Sequence, residues 1–132
     1  MTTTINASPT NGLVQTADGS GVLKVQSNGK TTNALAWVNF NGTGTVAIRS
    51  AYNVSSITDN GAGDYTVNFT TALSDANYSS CASASFAADA ALVGFVSSTT
   101  SALRITTDYV TSFSAATTPL DAQYVNIAIF GN

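Results

Sequence analysis

At 132 residues, with 8% charged residues, a net charge of −3 and no histidine, the chain excludes several function classes at once. Its length predicts a single domain able to bury its own core, and its charged fraction is far below the roughly 25% of ordinary globular domains. The seven acidic residues are all Asp; without His or Glu there is no Ser-His-Asp or Cys-His nucleophile system and no His-ligated zinc site. A non-catalytic protein is therefore expected.

Lys24, Lys30, Arg49 and Arg104 form no basic run, so phosphate neutralisation by a nucleic-acid binder is not expected. Six Phe, five Tyr and one Trp are spread along the chain, unlike the composition of a disordered one. Thr, Ser, Asn and Ala replace the missing charges, which suits a protein packed against copies of itself or a larger assembly.

Residues 1–11 are Thr-rich, contain Pro9 and have no period; they read as an extended arm. They show neither a basic region nor an apolar one, so no secretory signal is expected. A hairpin follows, from Leu13 to Thr16 and from Gly21 to Gln26 across Ala17-Asp18-Gly19-Ser20. Asn28-Gly29 is a strong two-residue hairpin signal. Residues 1–33 are thus an arm and hairpin for anchoring or subunit exchange, and 34–132 a β-sandwich domain.

From Asn33 to Phe40 the chain alternates, with Leu35 and Trp37 in one phase and Val38 and Phe40 in the other. A strand apolar on both faces belongs inside a sandwich or at a subunit contact. After Asn41-Gly42-Thr43-Gly44, one strand is expected over Thr45–Ser56. It has Val46, Ile48, Tyr52 and Val54 in phase, Arg49, Ala51, Asn53 and Ser55 on the wetter face, and Ile57 out of phase as a bulge or strand end. The turn Asp59–Asp64 leads into Tyr65, Val67 and Phe69, the cleanest two-residue period in the chain, which Leu73 extends. Ser74-Asp75-Ala76-Asn77 turns again.

Tyr78–Phe86 is strand-like and rich in small residues. Ala87–Ala91 is compatible with a helical turn. Leu92–Ser97 and Ala102–Thr107 read as paired strands across Ser98–Ser101, Tyr109–Phe113 as a short strand before a loop closed by Pro119, and Tyr124–Phe130 as a last strand with Val125, Ile127 and Ile129 on one face. The longest apolar run, Ala90–Val96, is too short to span a bilayer. Eight or nine short strands with regular turns predict an all-β, antiparallel sandwich, jelly-roll-like or Ig-like, with an extended N-terminal arm and hairpin.

Candidate sites are few. Asp59, Asn60 and Asp64 on a Gly-rich turn could offer oxygens to calcium, but their spacing is not that of an EF-hand loop, and turn formation accounts for them. Tyr52, Tyr65, Phe69 and Trp37 could belong to a sugar site; the expectation is that they are core. Cys81 cannot form an intrachain disulfide and reads as a small buried apolar residue. Asn-X-Ser/Thr matches at Asn6, Asn41, Asn53, Asn68 and Asn77 are expected by chance in so Ser/Thr-rich a chain. No catalytic, cofactor-binding or metal-binding residue is assigned.

The segment Trp37–Tyr78, containing WVNFNGTGT and YNVSSITDNGAGDYTVNFT, resembles a sequence theme of bacteriophage tail-fibre and other virion structural proteins; NGLVQTADGSGVLKVQSNG resembles the opening of phage fibre-like chains. The resemblance covers residues 11–78 and leaves Ser79–Asn132 unmatched. It implies a virion component, oligomeric and often trimeric, assembled in the host cytoplasm. A capsid decoration (cement) protein fits the chain length best, with the major capsid protein or other virion proteins as partners. A tail-fibre tip or tail adaptor contacting a host receptor is the alternative. In the trimer, second-face positions around Val38–Phe40 would be buried between copies, and residues 1–30 would swap to a neighbour or grip the shell.

Overall fold

A computed structural model describes residues 25–86, 89–109 and 118–131. The expected arm, and the hairpin up to Lys24, lie outside the described residues. Eleven strands are present among these: β1 Gln26–Ser27, β2 Lys30–Thr31, β3 Ala36–Asn41, β4 Ala47–Tyr52, β5 Val54–Gly61, β6 Asp64–Phe69, β7 Ser79–Phe86, β8 Asp89–Ser98, β9 Ala102–Tyr109, β10 Thr118–Pro119 and β11 Tyr124–Phe130.

β1 and β2 form a hairpin across Asn28-Gly29, whose φ values of 51° and 77° are those of the tight turn expected of Asn-Gly. The other strands form one continuous antiparallel array in the order β4-β3-β11-β7-β8-β9-β6-β5, with β10 paired to β9. The array folds into two layers, β4-β3-β11-β7 against β8-β9-β6-β5. Their inward side chains, Ala36, Val38 and Phe40, Val125, Ile127 and Ile129, Tyr65, Val67 and Phe69, Leu103 and Ile105, make one buried cluster. Phe40 meets Tyr65 across the layers edge-to-face, with ring centroids 5.2 Å apart. The result is the all-β antiparallel sandwich expected from the strand spacing, curled far enough to be a flattened, nearly closed barrel.

Two devices turn the chain between layers. β8 pairs with β7 through Asp89–Ala91, then crosses to pair with β9 from Leu92 onward. The other is Asn53, a single residue between β4 and β5 held at φ 55°. Its side-chain amide donates to the Leu35 and Thr71 carbonyls (both 3.1 Å), and its oxygen accepts from the Thr71 amide at 2.8 Å. Asn tolerates the left-handed region better than other side-chain-bearing residues, and here the side chain also ties three segments together.

That hinge corrects the single strand expected over Thr45–Ser56. There are two strands in different layers, and the β3–β4 register slips at Asn39/Phe40, so that Ser50 pairs with Asn39 and Ile48 with Phe40. The bulge resets the side-chain phase. Ala51 packs toward the core opposite Val38, whereas Tyr52 faces outward beside Trp37 and Ile48 is exposed. Asp89–Ala91 begin a strand where a helical turn was compatible with the sequence, because pairing with Ala84–Phe86 outweighs the local helix preference of alanine. Tyr109 ends β9, and residues 110–117 lie outside the description.

One barrel end is pinned by the segment 118–123. Thr107, fully buried, donates its hydroxyl to the Leu120 carbonyl at 2.7 Å; the Leu120 amide returns a bond to the Thr107 carbonyl at 3.1 Å. The Gly63 amide and the Tyr65 hydroxyl both donate to Asp121 Oδ1, each at 2.8 Å. The Gly42 carbonyl lies 3.1 Å from the same hydroxyl, and the Gly42 amide donates to Ala122. Buried polar atoms thereby satisfy one another at the point where both layers meet the strap.

Candidate interaction surface

Because side chains alternate along a strand, the outward face of β4-β3-β11-β7 is set by the residues between the core positions. The registers Trp37↔Tyr52, Ala128↔Trp37 and Ala128↔Cys81 align Tyr52, Trp37, Ala128 and Cys81 in one row across four strands. The adjoining row is Ser50, Asn39, Asn126 and Ser83. Within it the Asn39 amide donates to Asn126 Oδ1 and the Asn126 amide to Ser83 Oγ at 3.5 Å. These rows border a shallow depression of about 470 Å³ whose walls include Trp37, Asn39, Cys81, Ser83 and Asn126.

No charged residue lies in either row. At the margin, Arg49 donates to the Gln123 carbonyl at 2.8 Å and lies over the Tyr124 ring, 4.5 Å from its centroid. Its charge is engaged in a carbonyl contact and a cation–π contact. Phe130, Tyr124 and Trp37 are exposed on this side, Trp37 by 39%. A tryptophan beside small Ala and Cys side chains, framed by amides and hydroxyls, offers a flat contact surface without a charge to desolvate.

Three expectations are overturned here. Trp37 is not core: Ala36, Val38 and Phe40 take the inward phase of β3, so Trp37 must point out. Leu35, before the strand begins, is buried nonetheless. Cys81 is an exposed free thiol, because β7 buries Ala84 and half-buries Ala82 and leaves the odd positions outside. Val38 and Phe40, expected on a second face between copies, likewise fill the core, and the outward face of β3 carries Trp37 and Asn39.

The remaining sequence candidates resolve separately. Tyr65 and Phe69 are core, as expected, and Tyr52 is half-buried. In the Asp59–Asp64 turn, Asp59 caps the Gly61 amide at 3.0 Å, and Asn60 reaches both Asp64 Oδ1 and the Thr66 hydroxyl. Asp64 forms a two-pronged ion pair with Arg104, which holds its carboxyl below the usual carboxylate range. The turn oxygens thus serve the hairpin and its neighbour β9, and no group of three or more His, Cys, Asp or Glu side chains suited to a metal occurs among the described residues. Sequence reasoning missed the Tyr65–Asp121 pin; Asp121 is 56 positions from Tyr65 and carries only the marks of a turn former.

Comparison of the chain with protein-family models, with curated proteins and with solved structures gives no match.

Proposed function

We propose that this chain is a bacteriophage virion structural protein, a homotrimeric capsid decoration protein that cements the head shell through protein–protein contacts. The observation that carries the reading is the uncharged outward face centred on Trp37, with Tyr52, Ala128 and Cys81 in its row. The sequence theme of Trp37–Tyr78 supplies the virion context. Obligate interfaces are larger and more apolar than transient ones, are depleted in charge at their centre, and concentrate their energy in residues such as Trp. A chain with only 8% charged residues and an exposed tryptophan on a flat sheet meets that description.

Trp37 is the single tryptophan, so intrinsic fluorescence reports on this face alone. Light scattering should give the mass of three chains, with blue-shifted emission that moves to the red on dilution to monomer. Trp37→Ala should lower the assembled fraction by about 2 kcal/mol or more of association free energy, the scale of a tryptophan hot spot, and leave the monomer folded. Cys81 should react with a thiol reagent in the monomer and be protected in the trimer. A stable wild-type monomer refutes the trimer. Binding to expanded capsids, with copies matching the lattice threefolds, tests the location; binding to host cells in its place would support the tail-fibre tip.

A further inference from the structure

The chain has four Asn-Gly pairs, and three of them, Asn28-Gly29, Asn41-Gly42 and Asn60-Gly61, fall among the described residues. Such a pair can react with itself. The Gly nitrogen loses its proton and attacks the Asn side-chain carbonyl carbon; a C–N bond forms and ammonia leaves, giving a five-membered succinimide. Water then opens either carbonyl of that ring, to aspartate or to isoaspartate, whose backbone runs through the former side chain. Glycine is the most permissive neighbour, because it carries no side chain to obstruct the approach. Structure then decides the rate: the nitrogen must be free to lose its proton, and the side chain free to swing onto it.

Two of the pairs are locked. The Gly42 amide donates to the Ala122 carbonyl at 2.9 Å, and a Cβ on Gly42 would lie 2.8 Å from that carbonyl oxygen, so the peptide has no room to turn. The Asn41 amide donates to the Thr43 carbonyl at 2.6 Å, and its oxygen accepts from the Thr43 hydroxyl at 2.9 Å. The Gly61 amide donates to Asp59 Oδ1 at 3.0 Å. Its neighbour Asn60 donates to the Thr66 hydroxyl at 2.9 Å and to Asp64 Oδ1 at 3.2 Å. In both pairs the nucleophile and the electrophile are each engaged elsewhere.

Asn28-Gly29 has neither lock. Among the described residues no hydrogen bond holds the Asn28 side chain or the Gly29 amide, and a Cβ on Gly29 would meet nothing within 4 Å. Exposure is not the difference, since Asn60 and Gly61 are exposed too. The Asn28-Gly29 turn joins strands of two residues each, Gln26–Ser27 and Lys30–Thr31, and a hairpin this small opens readily. Opening releases Asn28 from its φ of 51° and lets the Gly29 nitrogen reach the side-chain carbon.

We infer that Asn28 is a modification site, at which the folded chain deamidates itself to aspartate and isoaspartate while Asn41 and Asn60 are spared, and that the isoaspartyl product opens the β1–β2 hairpin. Isoaspartate lengthens the backbone by one methylene in a turn whose geometry admits two residues with positive φ. The new carboxylate also adds a negative charge to a chain whose net charge is −3. The bond from the Thr32 amide to the Val25 carbonyl, 2.7 Å, closes the far end of the hairpin and is lost with it. Neither step depends on assembly of copies.

Peptide mapping of the full chain by mass spectrometry tests it, following the replacement of NH2 by OH, with isoaspartyl and aspartyl peptides separated by chromatography. At mildly alkaline pH the folded protein should convert Asn28 at least about tenfold faster than Asn41 or Asn60. In urea, where the shared Gly neighbour is what remains, the three rates should come within about threefold of one another. Chains carrying isoaspartate at position 28 should exchange the Thr32 amide hydrogen at least about tenfold faster than unmodified chains, with β11 amides unchanged as a control for folding. An Asn28 rate no higher than those of Asn41 and Asn60 in the folded protein overturns the assignment. So does a difference that persists in urea, because the hydrogen bonds would then not be its cause. Unchanged exchange at Thr32 overturns the opening of the hairpin.

Discussion

Tyr65→Phe isolates one bond of the pin that fastens segment 118–123 to the barrel end. The change removes a single oxygen from a fully buried side chain and leaves its ring against Phe40. The lost contact is the 2.8 Å hydrogen bond to the Asp121 carboxylate, with the Gly42 carbonyl as a second acceptor at 3.1 Å. Bonds to charged groups contribute about 1.5–3 kcal/mol, against roughly 1 for neutral ones. Asp121 keeps its bond from the Gly63 amide, so it is not orphaned, and the lower half of that range, about 1.5–2 kcal/mol, is expected. For a domain of this length that is a fall in Tm of roughly 5–10 °C. Urea denaturation with fluorescence detection should show a lower midpoint at unchanged slope. In an Asp121→Ala background the same substitution should cost at least about 1 kcal/mol less, because the partner is already gone. A loss below about 0.5 kcal/mol in the otherwise wild-type chain would refute the reasoning, since the bond would then be no better than the one water makes with the unfolded chain.

Asn53→Gly keeps the left-handed backbone at the β4–β5 hinge and loses the side-chain bonds to Leu35 and Thr71, so a loss of about 1–3 kcal/mol is expected; Asn53→Ala should cost about 1 kcal/mol more, for the strained φ, in the same urea experiment. Gly63→Ala should exceed both variants and lower the soluble yield, because its φ is +63° and a Cβ there would lie 2.7 Å from the Leu120 amide nitrogen and closer still to the Thr107 carbonyl. In alkali, burial and the neighbouring Asp121 push the Tyr65 phenol well above its usual value of 10.0. The unfolded chain then binds fewer protons than the folded one, so stability is complete below about pH 10 and falls above it by about 1.4 kcal/mol per pH unit for this group. Tyr65→Phe should flatten that decline, leaving the share of Tyr78, which burial also raises. On the acid side, Asp64 stabilises the fold above its usual value of 3.8 and loses that contribution as pH falls through its lowered folded value; added salt should shrink the effect, because the pair with Arg104 lies at the surface.

Local pattern by itself determined the fold class and several elements outright. Asn28-Gly29 needs two positive φ values, and few dipeptides supply them at so little strain, so that hairpin was legible from two letters. Val125, Ile127 and Ile129 alternate with polar or small residues, and β11 runs from Tyr124 to Phe130 with that face buried, as expected. The β8–β9 hairpin and Tyr65-Val67-Phe69 followed from the same two-residue period. Tertiary structure alone decided which phase of an ambiguous strand faces in. From Leu35 to Phe40 apolar side chains fall in both phases, and Trp37 was displaced outward because Val38 and Phe40 fit between Ile127, Val125 and Tyr65. In β4 a one-residue bulge reset the phase, and a period count cannot see an insertion that depends on a partner strand. Cys81 followed the same logic: apolar character permits burial, but the register with Ala128 and Trp37 put it on the outside. The pin between Tyr65 and Asp121 was invisible for a related reason. A hydrogen bond across 56 positions leaves no local mark, and it exists only once both layers have brought those residues within 2.8 Å.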